Sequence, residues 1–104
     1  MRKLLITFAF SAGLLAANGV QAGDAAAGRV KAETCLGCHG VAGYVNTYPT
    51  YHVPKLGGQH EAYLVAALKA YKEKQRSHET MHANASALSD DDIADIAAYL
   101  SSVK

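Results

Sequence analysis

The chain has 104 residues, a formal net charge of +1 at pH 7 and two cysteines. That length allows one domain with a limited core. The near-neutral balance argues against a nucleic-acid binder, whose footprint is a strong basic excess, and two cysteines fall short of the usual four-ligand zinc site.

Met1-Arg2-Lys3 is a short basic segment, followed by an apolar run from Leu4 to Leu15 broken only by Thr7, Ser11 and Gly13. Asn18, Gly19 and Val20-Gln21-Ala22 then supply small and polar residues with a cleavage site after Ala22. The pattern predicts a secretory signal peptide over residues 1–22, its apolar run too short to span a membrane. Residues 23–104 are then the mature domain, with no stable membrane span after cleavage. Loss of Arg2 and Lys3 turns the formal charge from +1 to −1.

Gly23 to Ala32 reads as the start of a helix. Asp24 is a good N-cap, the alanines after it are strong helix formers, and the helix is expected to continue through Glu33 and Thr34. Gly28 weakens a helix interior. Its presence points to a close helix crossing where a side chain would clash.

Cys35-Leu36-Gly37-Cys38-His39 follows, the attachment signature of a c-type haem. On a helix, positions i, i+3 and i+4 share one face, so both sulfurs can form thioethers to haem vinyl groups while the imidazole reaches the iron. A thioredoxin-like dithiol needs a βαβ setting, and no strand pattern precedes Cys35. A covalent haem would also be the staple that so small a chain benefits from.

Gly40 to Gly58 carries glycines and prolines at intervals that argue for an irregular loop, with Tyr44, Tyr48 and Tyr51 as packing and hydrogen-bonding groups. Gln59 to Gln75 is the next helix, on which Tyr63, Leu64, Ala67, Leu68 and Tyr71 make an apolar stripe. Lys69, Lys72, Lys74 and Arg76 suit its C-terminal dipole. They read as a solvated helix end in preference to a docking surface for an acidic redox partner.

Ser77 to Leu88 loses periodicity and is expected to be a loop. It carries Met81, the single methionine of the mature chain. A lone methionine is normally a core gap-filler, but beside a haem histidine it leads as the second axial ligand. His82 competes for that place, with His78 behind it. Ser89-Asp90-Asp91-Asp92 opens the last helix with a capping-box pattern and acidic first turn. Ile93, Ile96, Ala97, Leu100 and Val103 form its apolar face, with Tyr99 beside it. There is no internal repeat and no convincing strand, so the expected class is all-α.

In this order the elements resemble class I c-type cytochromes, the small bacterial periplasmic ones, and most closely the single-haem units of two-haem periplasmic cytochromes. The likeness spans essentially the mature chain. It rests on CLGCHG at 35–40, VPKLGGQHEAYL at 53–64, Arg76 followed by Met81, and LSDDDIADIAAYL at 88–100. The resemblance implies a cytochrome c fold of three to four short helices around one haem c, attached through Cys35 and Cys38. It implies His39 and Met81 as the axial iron ligands, and a first helix crossing the last with Gly28 against the Tyr99/Leu100 region. A carbonyl near Pro54 would accept the His39 Nδ1 proton, the kind of bond that orients metal-bound histidines. Leu56 and Leu68 would pack on the haem, and Gln59 and Arg76 would meet its propionates, arginine through its fixed donor fork. His52, His60, His78 and His82 receive no role. The tyrosine-rich stretch 44–52 departs from the family pattern.

With both axial positions filled, no catalytic residue is expected. The implied activity is one-electron transfer by a periplasmic carrier, not an enzyme. Its donor would be a quinol–cytochrome c oxidoreductase or a dehydrogenase, and its acceptor a terminal oxidase, reductase or peroxidase. Two other readings stand beside this one. A labile distal ligand would make a haem-based catalyst or gas sensor, and an exposed apolar patch would suit a haem subunit of a larger oxidoreductase complex.

Overall fold

A computed structural model of the chain describes residues 22–104. The signal peptide expected over 1–22 lies outside the described residues but for Ala22. Those residues form five helices and one small hairpin: α1 (Ala25–Lys31), α2 (Glu33–His39), β1 (Val45–Thr47), β2 (Thr50–His52), α3 (Glu61–Lys72), α4 (Glu79–Ala85) and α5 (Asp90–Ser102). The class is all-α, as expected. The helix number exceeds three to four because the first helix divides at Ala32 and a fourth forms where a loop was expected.

Asp24 starts α1 as its N-cap, its Oδ1 accepting from the Ala26 N–H at 2.9 Å and the Ala27 N–H at 3.3 Å. The division from α2 is slight. The Ala32 N–H still donates to the Gly28 carbonyl at 2.8 Å, and the Leu36 N–H to the Ala32 carbonyl at 3.1 Å. At its far end, α5 opens with the full capping box between Ser89 and Asp92.

α1 packs across α5, and α3 packs on α5 and α4. The crossing of α1 and α5 accounts for Gly28: a Cβ there would lie 1.8 Å from the Asp95 carbonyl oxygen and 2.9 Å from Tyr99 Cβ. The contact is with Tyr99, within the expected region, and with Asp95 one turn before it. The core joins Ala32 of the α1–α2 junction, Leu64 and Leu68 of α3, and Ile93, Ile96, Ala97 and Leu100 of α5. Val103 sits just beyond the end of α5 and packs beside Gly57. Gly58 has φ +81, a backbone conformation that favours glycine, and its N–H donates to the Leu100 carbonyl at 2.8 Å. That bond seats the loop before α3 against the end of α5.

Two expectations are corrected. The loop over 40–58 contains the antiparallel pair β1–β2, in register Val45↔His52, Asn46↔Tyr51 and Thr47↔Thr50. Asn46 Nδ2 donates to the Pro49 carbonyl at 2.7 Å and Thr50 Oγ1 to the Thr47 carbonyl at 2.9 Å, so side chains close the turn. The segment 77–88 contains α4, whose buried residue is Ala85. So short a helix repeats too few apolar positions to show a period.

An ion-pair network locks the α1–α5 crossing. Lys31 Nζ lies 2.7 Å from Asp95 Oδ2 and 2.9 Å from Asp92 Oδ1. Asp95 Oδ1 accepts the Asp24 N–H at 2.7 Å. The Lys31 hydrogen bond, then the Ser89 N–H, pulls the Asp92 carboxyl down from 3.8 to about 2. Lys31 first, and then the Asp24 N–H, lowers Asp95 as well, while the two carboxylates raise Lys31.

Depressed carboxylates contribute stability that is present above their ordinary value and lost as pH falls through the folded one. The haem-loaded protein is therefore expected to lose denaturant resistance as pH falls from about 4 towards about 2. Lys31→Met, which removes the shared partner, flattens that dependence when unfolding is followed over the same series. Gly28→Ala gains about 1 kcal/mol of helix propensity. The Asp95 carbonyl is held within α5, so overpacking is expected to dominate and lower stability by about 2 kcal/mol net, read by equilibrium denaturation.

Candidate haem site

α2 presents Cys35, Cys38 and His39 to a cavity of about 350 Å³. Its apolar wall comes from Leu56, Leu64 and Leu68, from Ile96 and Leu100, and from Met81. Tyr51, Tyr63, Tyr71, Arg76 and His78 also contribute to the lining. Such a volume and composition suit a largely apolar cofactor with a few placed polar groups.

Cys35 is half-buried and Cys38 exposed, and the two are not joined as a disulfide. Burial pushes the Cys35 thiol above its ordinary value. His39 Nδ1 lies 2.6 Å from the Pro54 carbonyl oxygen. A carbonyl can only accept, so the proton sits on Nδ1 and the Nε2 lone pair is left free. The family resemblance implies such a bond near Pro54. A pair of thiols at helical spacing beside an imidazole of fixed tautomer fits a covalent haem. Among the described residues, no three His, Cys, Asp or Glu side chains gather as a metal site.

The remaining candidates divide. Leu56 and Leu68 line the cavity, as does Met81, which also packs on the core. Arg76 lines it too, its Nη1 donating to Tyr63 OH at 3.2 Å and its guanidinium 4.8 Å above the Tyr71 ring. The Tyr63 bond raises its already high pKa. Gln59 is not part of the lining: its Oε1 accepts the His60 N–H at 2.9 Å. His82 is also outside, with Nδ1 2.9 Å from the Tyr71 carbonyl oxygen.

Sequence reasoning missed Leu64, Tyr63 and Tyr71 as lining residues, although all three share the α3 stripe with Leu68. It also missed Tyr51, whose hydroxyl donates to Thr80 Oγ1 at 3.1 Å, and His78, neither of which stands in a periodic segment. Of the basic cluster, Lys72 donates to the Leu88 carbonyl at 2.5 Å and Arg76 is engaged as above. Both have structural work within the fold.

Fold and site together define a helical domain built around a covalently attached haem. The family model for cytochrome c matches residues 25–104. The chain belongs to the cytochrome c family, and its cofactor is a haem c whose attachment pair is Cys35 and Cys38. It is 42% identical over 104 residues to cytochrome c4 of Pseudomonas aeruginosa, covering all of this chain and 50% of that protein. It is 50% identical over 84 residues to cytochrome c-554(548) of Halomonas halodenitrificans, covering 78% of this chain and 98% of that one. The crystal structure of reduced recombinant cytochrome c4 from Pseudomonas stutzeri superposes with a TM-score of 0.59 at 26% identity, over 80% of this chain and 51% of that one. The chain thus spans about half the length of the cytochromes c4 it matches, and nearly the full length of the Halomonas protein.

Replacing both Cys35 and Cys38 by alanine is expected to abolish covalent haem. Most of the helical circular dichroism is expected to go with it, and a folded, haem-free double variant would contradict the site.

Proposed function

We propose that the protein is a one-electron carrier of the bacterial periplasm, exported by residues 1–22 and functional as the single-haem domain 23–104. Its axial ligands are His39 and Met81. The observation that carries the ligand pair is the 2.6 Å bond from His39 to the Pro54 carbonyl, which turns a free Nε2 to a cavity that Met81 also lines. His82 stands outside that cavity, which supports Met81 over its chief rival.

When bound, the haem supplies the one-electron chemistry, and the chain sets its ligation and burial. Cys35 and Cys38 hold the group covalently. Leu56, Leu64 and Leu68 would keep water from the bound group, and Arg76, steadied by Tyr63 and Tyr71, would offer a fixed cation to a propionate. Gln59 gains no support for that role, since it stands outside the cavity lining. With His39 and Met81 both holding the iron, no position would be left for a substrate, which favours a carrier over an enzyme. The partners are redox proteins: a quinol–cytochrome c oxidoreductase or dehydrogenase as donor, and a terminal oxidase, reductase or peroxidase as acceptor. No helix among the described residues is long and apolar enough to cross a membrane.

The test is an optical spectrum of protein matured in the periplasm, oxidised and reduced, with and without carbon monoxide. A methionine-to-iron charge-transfer band and no carbon monoxide shift are expected. A shift in the wild-type protein would instead favour the gas sensor or catalyst. Met81→Ala is expected to lower the reduction potential by on the order of 100 mV, within the ~0.8 V that axial ligation spans, and to admit carbon monoxide. His82→Ala is expected to change neither.

A further inference from the structure

We infer that His78 is a positioning residue for Met81: it caps the short helix that carries the methionine and, pinned by Tyr51 of the hairpin, fixes where the thioether stands. This rests on the reading of Met81 as the distal ligand.

α4 has seven residues, and helices of that length do not hold themselves. Its first turn therefore depends on the cap. His78 has extended backbone, φ −170 and ψ 109, and its Nδ1 accepts the Met81 N–H at 3.3 Å. The His78 carbonyl accepts the His82 N–H at 2.8 Å. One residue thus engages the backbone of the methionine and of its successor. A neutral imidazole has one acceptor nitrogen, and here the cap uses it.

The ring itself is held from two sides. Tyr51 meets it edge-on with centroids 4.8 Å apart and planes at 85°, and Tyr71 does so at 6.3 Å and 80°. The Tyr51 hydroxyl also donates to Thr80 Oγ1, on the residue just before Met81. The hairpin and α3 therefore brace the cap, and the cap braces the methionine. Histidine is not among the preferred N-cap residues. Its use here fits a cap that must also fill space between two tyrosines.

Haem-loaded His78→Asn, His78→Ala and His78→Phe variants separate capping from ring packing, with wild type and Met81→Ala as references. Asparagine keeps an acceptor without the ring, phenylalanine keeps the ring without an acceptor, and alanine keeps neither. The readouts are the methionine-to-iron band of the oxidised protein and carbon monoxide uptake by the reduced protein. Helical circular dichroism is followed through the same denaturant series. In His78→Asn, which keeps the acceptor but loses the tyrosine brace, the band is expected to be lost at lower denaturant than in wild type but later than in His78→Ala. In His78→Ala and His78→Phe it is expected to vanish at lower denaturant than the helical signal, and the carbon monoxide-reactive fraction rises about fivefold, the factor a lost cap is worth. Three variants indistinguishable from wild type would overturn the inference. So would His78→Phe matching wild type while His78→Asn does not, since the ring alone would then matter. A wild-type protein without the band, or a band that survives Met81→Ala, would remove the distal-ligand reading first and this inference with it.

Discussion

Leu64, Leu68, Ile96 and Leu100 belong at once to the hydrophobic core and to the wall of the haem cavity. The rest of the molecule follows from that double duty. A domain this small has few large side chains to bury, and Ile93, Ile96 and Leu100 are the largest that are fully enclosed. Apolar surface removed from water stabilises at roughly 25 cal/mol per Å², and a cofactor against this wall would cover the half-buried Leu56 and Met81 beside it, acting as a core element. Folding and cofactor binding then share one set of contacts. A thioether attachment makes that sharing permanent.

The α1–α5 crossing serves the same wall from outside. Gly28 lets the two backbones approach, and Lys31 ties α1 to two carboxylates of α5 on the surface. α1 in turn leads through Ala32, fully buried, into the helix that carries Cys35, Cys38 and His39. The attachment residues are thus aimed by a junction anchored in the core. Neighbouring Val30 is 73% exposed, so the apolar anchoring of this segment comes through Ala32.

Much of this was legible in the sequence, for identifiable reasons. The Cys-x-x-Cys-His spacing carries its own geometry, and α3 and α5 are long enough to repeat their apolar residues. Gly28 stood out because it is costly in a helix, and the crossing supplies the reason. What escaped reading was short or held by side chains rather than by pattern. The hairpin turns on Tyr48-Pro49 without the Asn-Gly pair that usually announces one. The seven-residue α4 begins on a histidine, a weak cap signal. For Gln59, nothing in the sequence says that its side chain stands outside the cavity lining.

The acceptor that orients His39 is the main-chain oxygen of Pro54. Every amino acid at that position brings the same oxygen, so no single substitution deletes the acceptor; it can only be turned away by moving the backbone. Control of the imidazole's electron-donating character is therefore insulated from point mutation and vested in the shape of the 53–58 loop. Gly58 pins that loop to the end of α5. Changes far from the cavity that shift this loop would tune the iron's potential, while changes to the proline ring itself would be comparatively silent.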